Sequence, residues 1–365
     1  MTADIRDVVN TAPDVVGLGE PTHREPAFGH VRNEVFAQLV DRGFRSIALE
    51  TDRVAALAVN DFVQGGAGTL DAVMRDGFTH GFGAFPANRQ LIAWMREYNA
   101  DRAAGERLAF HGIDAPLEFT AASPRRDLEY AGHYLGVDLD LAGLVGDDEQ
   151  WSSAEAVMDP AQSPGDTPAA HRLRAIADDM FTLLYAHAPE LIAASSRADW
   201  QRAKAHLISA LGLLRYHRQA AQRIGDSARW SGLSGVRDAL MAQNLLDIRE
   251  IEAGRGPTLA FAHNLHLQRT PSHMSMAGMD ITWSGAGAVV GALLENRYTF
   301  IAGSPRDDDK LRSTETELDT NDGLAPGEFT WCLRAADVAS QLDQATLEGA
   351  DAVLHIDVSG SGARH

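Results

Sequence analysis

Val15-Val16-Gly17-Leu18-Gly19-Glu20-Pro21-Thr22-His23-Arg24-Glu25-Pro26 is an apolar run that stops at two glycines and a carboxylate, with a histidine three residues further on. Physically this is a short buried strand, a loop in which polar groups gather at its carboxyl end, and then a helix starting near Pro26. Open α/β sheets place their ligands at that edge. A histidine delivered there beside Glu20 is placed for proton transfer.

Outward from this stretch the same alternation repeats. Phe28, Val31, Val35 and Leu39 recur at helical spacing up to Gly43, and Ser46-Ile-Ala-Leu-Glu50 is a second strand ending in a carboxylate. Helical patterns follow over 54–63 and 86–98, and Leu108-Ala-Phe-His-Gly-Ile-Asp114 reads as a third strand. Short apolar strands alternating with helices predict a mostly parallel central sheet flanked by helices. From about His171 to Ala253 the pattern is helical throughout, with a polar, proline-bearing loop over 147–168 leading in. Strands return at Thr258–His263, Tyr298–Ala302 and Ala352–Val358, and residues 304–327 read as an exposed polar excursion. The expected organisation is an α/β core over 1–170 and 254–365, with a helical subdomain over 171–253 inserted in it and covering the cleft.

Composition narrows the function. The 365 residues, 45% of them hydrophobic, suffice for a large core or two domains. A net charge of -19 disfavours nucleic acid and anionic membrane as partners. One cysteine, Cys332, excludes an internal disulfide framework and a Cys-rich zinc site. The first residues are too polar for a secretory leader, and no stretch reaches the roughly 20 apolar residues of a spanning helix. A cytoplasmic protein acting on a small molecule is expected.

Several strand ends deliver polar groups: Glu20 with His23, Glu50, and His263-Asn264-Leu265-His266. If the strands are neighbours, these converge on one cleft. Imidazole beside carboxylate is the ordinary arrangement of a general base, because the carboxylate fixes the tautomer and raises basicity. Arg32, about two turns into the next helix, is suited to hold the carboxylates or stabilise an oxyanion. Arg237 and Asn244, seven apart on one helix face, are in reach of the same cleft. Each residue also has a plain structural reading: a lone histidine satisfying backbone, Glu50 as a cap or ion-pair partner, Arg237 on a solvated face. Convergence of several is what favours chemistry.

Rival signatures are missing. There is no Gly-x-Ser-x-Gly elbow, Walker A loop or His-Glu-x-x-His segment. Gly285-Ala-Gly287-Ala-Val-Val-Gly291 has the wrong last interval for a dinucleotide loop and reads as a tight strand-to-helix turn. Two histidines and a carboxylate can make a metal site, but the spacing of His263 and His266 is not specific for one. Neither metal nor cofactor is expected.

Gly19-Glu20-Pro-Thr-His23 resembles the erythromycin esterase family, whose hallmark is a Gly-Glu-x-x-His motif after the first strand. The resemblance continues, in family order, through Arg32, Ile47-Ala-Leu-Glu50, Arg237-Asp-Ala-Leu-Met-Ala-Gln-Asn244 and Phe261-Ala-His263-Asn264-Leu-His266. It implies an α/β core with a helical part over it, and hydrolysis of a macrolide lactone by water without a covalent intermediate. It further implies that His23 is the base and that Glu20, Arg32, Glu50 and His263 are essential cleft residues, with His266 close by. Arg24 stands where many members have glycine, and the chain is shorter than the resistance esterases. A tailoring enzyme of natural-product biosynthesis, using the same His/Glu site for cyclisation, elimination or isomerisation, is the alternative. A pure binding protein has no need of a base flanked by two carboxylates.

Overall fold

The computed structural model describes residues 12–23, 25–305, 330–335 and 342–357. Arg24 and most of the polar excursion lie outside the described residues. Strands β1 (Val15–Glu20), β2 (Ser46–Asp52), β3 (Ala109–Asp114), β4 (Thr258–His263), β7 (Tyr298–Pro305), β8 (Thr330–Ala335) and β9 (Ala352–Asp357) form one sheet in the order β3-β2-β4-β1-β7-β9-β8. All its pairings are parallel except that of β8 with β9 at the edge. β1 to β4 are buried on both faces. That is why they read as continuous apolar runs rather than alternating ones.

Each early strand hands over to a helix. α1 (Pro26–Val40) starts at Glu25, whose side chain accepts from the Ala27 amide, and Pro26 fits the first turn because its missing N–H has no helical partner there. Its buried face carries Phe28, Val31, Val35 and Leu39, packed with α2 (Ala55–Val63), α3 (Leu70–Asp76) and α4 (Pro86–Asn99) over one side of the sheet. Helices α5 (Arg125–Leu135), α6 (Pro168–Ala186), α7 (Arg197–Ala220) and α8 (Asp226–Glu252) make the helical layer. Its own core holds Leu128, Trp151, Leu173, Met180, Leu207 and Leu214. Short helical turns at Glu149–Ser152 and Glu155–Met158 lie in the polar segment leading into it. α8 belongs to two cores at once: Met241, Leu245 and Ile248 pack on the sheet, while Leu233 and Leu240 face the helical layer.

After β4 come a short turn of helix α9 (Asn264–Leu267), an antiparallel hairpin of β5 (Ser272–Met276) and β6 (Met279–Trp283), and α10 (Ala286–Leu294). The hairpin's two-residue turn, Ala277-Gly278, has positive φ at both positions, 49° and 77°, the requirement of a type I′ connection. Gly285 caps α10 at the strand-to-helix turn, while the rest of the glycine run, 286–291, lies inside that helix. Among the described residues no helix is long and apolar enough to cross a membrane.

Candidate active site

The sheet order makes β3, β2, β4 and β1 consecutive neighbours, and parallel pairing points their carboxyl ends the same way. Asp114, Glu50, His263 and Glu20 therefore arrive side by side, with Glu20 directly opposite His263 in the β1–β4 register. Tight strand register gives the cleft its precision; only His23 and His266 reach it from the turns that follow.

His23 is the most open member, with about a third of its side chain exposed. Its Nδ1 lies 2.8 Å from Glu20 Oε1. With the carboxylate as acceptor, Nδ1 carries the proton and the Nε2 lone pair is free. Nε2 lies 3.6 Å from Glu50 Oε1. Two acceptors at that spacing do not bond each other, but both can accept from one water held between them. Burial pushes His23 toward the neutral form, but the Glu50 and Glu20 carboxylates outweigh it and leave its pKa raised above 6.5. Burial also raises Glu20. The His23 ring packs against Phe82 at 5.0 Å, an apolar wall on that side.

Glu50 is the hub. Its Oε2 accepts from the His263 backbone N–H at 2.8 Å, and its Oε1 faces His266 Nε2 at 3.3 Å and Arg237 Nη2 at 3.2 Å. Burial opposes its charge, yet the His266 and Arg237 cations, helped by the His23 ring, hold its pKa well below the usual carboxylate value. His266 is clamped on its other nitrogen: Nδ1 lies 2.9 and 3.0 Å from the two oxygens of Asp238. Asp238 in turn accepts from Trp283 Nε1 at 2.7 Å and the Ala286 N–H at 2.8 Å. Against burial, the Asp238 and Glu50 charges push the His266 pKa up to about 10, so it is an imidazolium at neutral pH. Alternating carboxylates and imidazoles thus run Asp238, His266, Glu50, His23, Glu20 across the cleft floor.

A second ion cluster braces the wall. Arg237 on α8 donates to Asp114 at 2.6 Å as well as to Glu50, and is fixed rather than free. His80 lies 3.1 Å from Asp114 and 3.4 Å from Glu118. Burial works against its charge, but hydrogen bonds to those two carboxylates raise its pKa to about 9. Asp114 is buried, yet Arg237 and His80 hold it at about 2.

The remaining residues singled out in the sequence have other contacts. His263 places Nε2 at 2.8 Å from the Pro21 carbonyl and accepts the Leu265 N–H on Nδ1. Both nitrogens are committed to the neutral ring, and burial together with the nearby His23 and His266 charges lowers its pKa to about 4. Arg32 is 2% exposed, donates to Asn88 and Asn33, and lies over the Phe261 ring. Burial brings its pKa down to about 10, although Glu20 supports its charge. Asn264 spends both amide atoms on the backbone of Gly303, tying the end of β4 to β7. Asn244 donates to the Ile113 carbonyl from within the core. Glu20, His23, Glu50, His263, His266 and Arg237 are thus brought together, with Arg32, Asn244 and Asn264 behind them.

Asp238, Asp114, His80 and Phe82 complete the site without having been singled out in the sequence. Asp114 carried a signal, as a carboxylate at a strand end, and Asp238 sits inside the Arg237–Asn244 block. His80 and Phe82 lie in a loop with no periodicity to place them. Among the described residues no group of three or more His, Cys, Asp or Glu is arranged to hold a metal ion.

The erythromycin esterase family model matches residues 39–305, most of the chain. The chain belongs to the erythromycin esterase family. No curated protein matches it. Among solved structures, a Bacillus cereus protein superposes with a TM-score of 0.67 at 15% identity, covering 97% of this chain and 90% of that one. A mutant of the erythromycin esterase EreC in its open conformation gives 0.65 at 20% identity, covering 96% and 92%. A succinoglycan biosynthesis protein gives 0.65 at 16% identity, covering 97% and 90%. At such identities the structures share the fold of this erythromycin esterase family member, and its chemistry must be argued from its own cleft.

Proposed function

We propose that the protein is a hydrolase that opens an ester or macrolactone of a natural product by direct attack of water, with His23 as general base. The observation that carries this reading is the 3.6 Å gap between His23 Nε2 and Glu50 Oε1, with Glu20 on the other ring nitrogen. Water in that gap is oriented by Glu50 and gives its proton to Nε2 as its oxygen attacks the ester carbonyl. Glu20 fixes the tautomer and stabilises the imidazolium that forms, which then protonates the departing alcohol. No nucleophilic side chain is needed, so no covalent intermediate forms.

Charge for the tetrahedral oxyanion comes from the cationic side of the cleft. His263 is neutral and Arg32 is spent on Asn33 and Asn88, which leaves His266 and Arg237 as the cations bordering the gap. Each is paired with carboxylates, so their part is to offset the Glu50 charge beside the developing oxyanion. Membership of the erythromycin esterase family supports a macrolide-like substrate.

The test is incubation with a panel of macrolides and simpler lactones, followed by mass spectrometry. The expected result is a product heavier by one water, with turnover reduced at least about a hundredfold in His23→Ala. The base works deprotonated and its pKa is raised, so the rate should climb with pH through a value above 6.5. Unchanged turnover in His23→Ala would overturn the mechanism. A product of unchanged mass would point to isomerising or cyclising tailoring chemistry instead.

A further inference from the structure

Away from the cleft, α6, α7 and α8 line an open surface cavity of about 690 Å³. Arg174 comes from α6, Arg215 and Arg218 from α7, with Leu211 and Val236 as apolar lining. Leu211, Arg215 and Arg218 follow one another at four and three residues and so share one face of α7. Tyr216 leaves a different face, donating to the Glu118 carbonyl on the side of the cleft. Cavity and cleft therefore open on different sides of the helical layer.

What sets these three arginines apart is what they lack. Among the described residues none of the three has a carboxylate within ion-pair distance, although the chain carries 51 acidic residues against 32 lysines and arginines. Arg174 Nη1 is buried with no hydrogen-bond partner in the protein, an arrangement that ordinarily destabilises the fold. Burial, and then the like charge of Arg218, lower the pKa of Arg174. Asp178 also lines the cavity, and His171 is turned to Asp166 at 2.8 Å. Three guanidinium groups outnumber Asp178 on the lining and the nearby Asp166, so the concavity is net positive. Arg215 and Arg218 are exposed, which leaves their donors facing solvent and open to a ligand.

We propose that this cavity is a binding site for a small organic phosphate, with its phosphoryl group held by Arg174, Arg215 and Arg218 and its apolar part on Leu211 and Val236. A phosphate monoester dianion neutralises the surplus, and its tetrahedral oxygens suit several guanidinium forks at once. A carboxylate brings one charge and saturates one fork. The cavity volume falls in the range of small-molecule sites.

The experiment is calorimetric titration of the full-length protein with phenyl phosphate and with benzoate at two salt concentrations, alongside Arg174→Gln/Arg218→Gln and the single variant Arg218→Gln. The site predicts saturable binding of phenyl phosphate, at least about tenfold tighter than benzoate and weakened by salt. Affinity should fall at least about tenfold in the double variant and by a smaller factor in the single one. Without ligand, melting temperatures of both variants should be unchanged or higher, because an unpaired, mutually repelling group is removed. No saturable binding of phenyl phosphate, or equal affinity in wild type and double variant, overturns the site. Equal affinity for benzoate overturns the phosphoryl assignment, and a lower melting temperature with unchanged binding makes the arginines structural.

Discussion

His266 shows how much a single side chain's role depends on a partner far away in sequence. Asp238, 28 residues earlier, accepts the hydrogen bond of its Nδ1–H and keeps the ring cationic beside Glu50. Asparagine at position 238 retains the shape and one acceptor, but removes the charge that Trp283 and the Ala286 N–H were arranged around. In Asp238→Asn the His266 pKa should drop by several units from about 10, so that the ring titrates in the neutral range. Glu50 then loses one of its two close cations, and turnover relative to wild type should fall at least about tenfold above neutral pH and partly recover below it. Nitrogen NMR of the imidazoles reads the charge directly and independently of any substrate. A His266 that stays charged at pH 8 in the variant would remove Asp238 from this role. The motif residues Glu20, His23, Glu50, His263 and His266 were legible because each sits at or just after a strand end, where chain direction dictates position. Their hydrogen-bond partners were not. Nothing in the periodicity of α8 says which of its faces meets α9, and nothing near His80 announces Asp114.

At the scale of elements, the glycine run 285–291 is a packing device for the turn that carries His266. A methyl group at Gly287 would lie 1.8 Å from the Leu267 carbonyl oxygen, and one at Gly285 2.6 Å from that of Leu265. α10 thus sits directly on the backbone of α9, which carries His266. Gly287→Ala must push that turn or the helix aside, at a cost of about 1–3 kcal/mol, lowering the melting temperature and raising KM or lowering kcat through His266. Gly225→Ala is the control, since nothing lies within 4 Å of a methyl group there and its φ of -57° suits alanine. Equal effects of the two substitutions would dismiss the close-packing argument. This turn was readable from sequence as a strand-to-helix connection, but the preceding hairpin went unread. Met274-Ser-Met276 and Met279-Asp-Ile281-Thr-Trp283 alternate apolar and polar residues, and their inward side chains join the helical layer's core, but each strand is only five residues long. Parallel strands of the central sheet were legible for the opposite reason, because burial on both faces leaves uninterrupted apolar runs. β8, antiparallel at the sheet edge, carries no such mark.

For the whole molecule, buried ionisable groups set the pH range in which the fold is most stable. His266, raised from 6.5 to about 10, contributes stability that is full below pH 6.5 and is lost as pH rises through 10. Asp114, lowered from 3.8 to about 2, contributes stability present above 3.8 and lost as pH falls through 2. His263, lowered to about 4, takes its proton later than the unfolded chain does, so stability declines from pH 6.5 toward 4. Asp52 works against the fold at neutral pH. Burial raises its pKa from 3.8 to about 6, despite Arg126 and the Val54 N–H. Its protonated form is the one the fold prefers, so above pH 6 the folded state carries a penalty of about 3 kcal/mol. Asn at position 52 keeps an acceptor for the Val54 N–H, and Arg126, more than half exposed, retains Asp127. Asp52→Asn should therefore melt several degrees higher than wild type at pH 8, with the gain shrinking toward zero near pH 4. Removing one negative charge from a chain of net charge -19 also relieves general repulsion, so Asp101→Asn, at an exposed position, measures that part alone. A gain at pH 8 no larger than that of Asp101→Asn, or one that persists at pH 4, would show that Asp52 carries no such penalty.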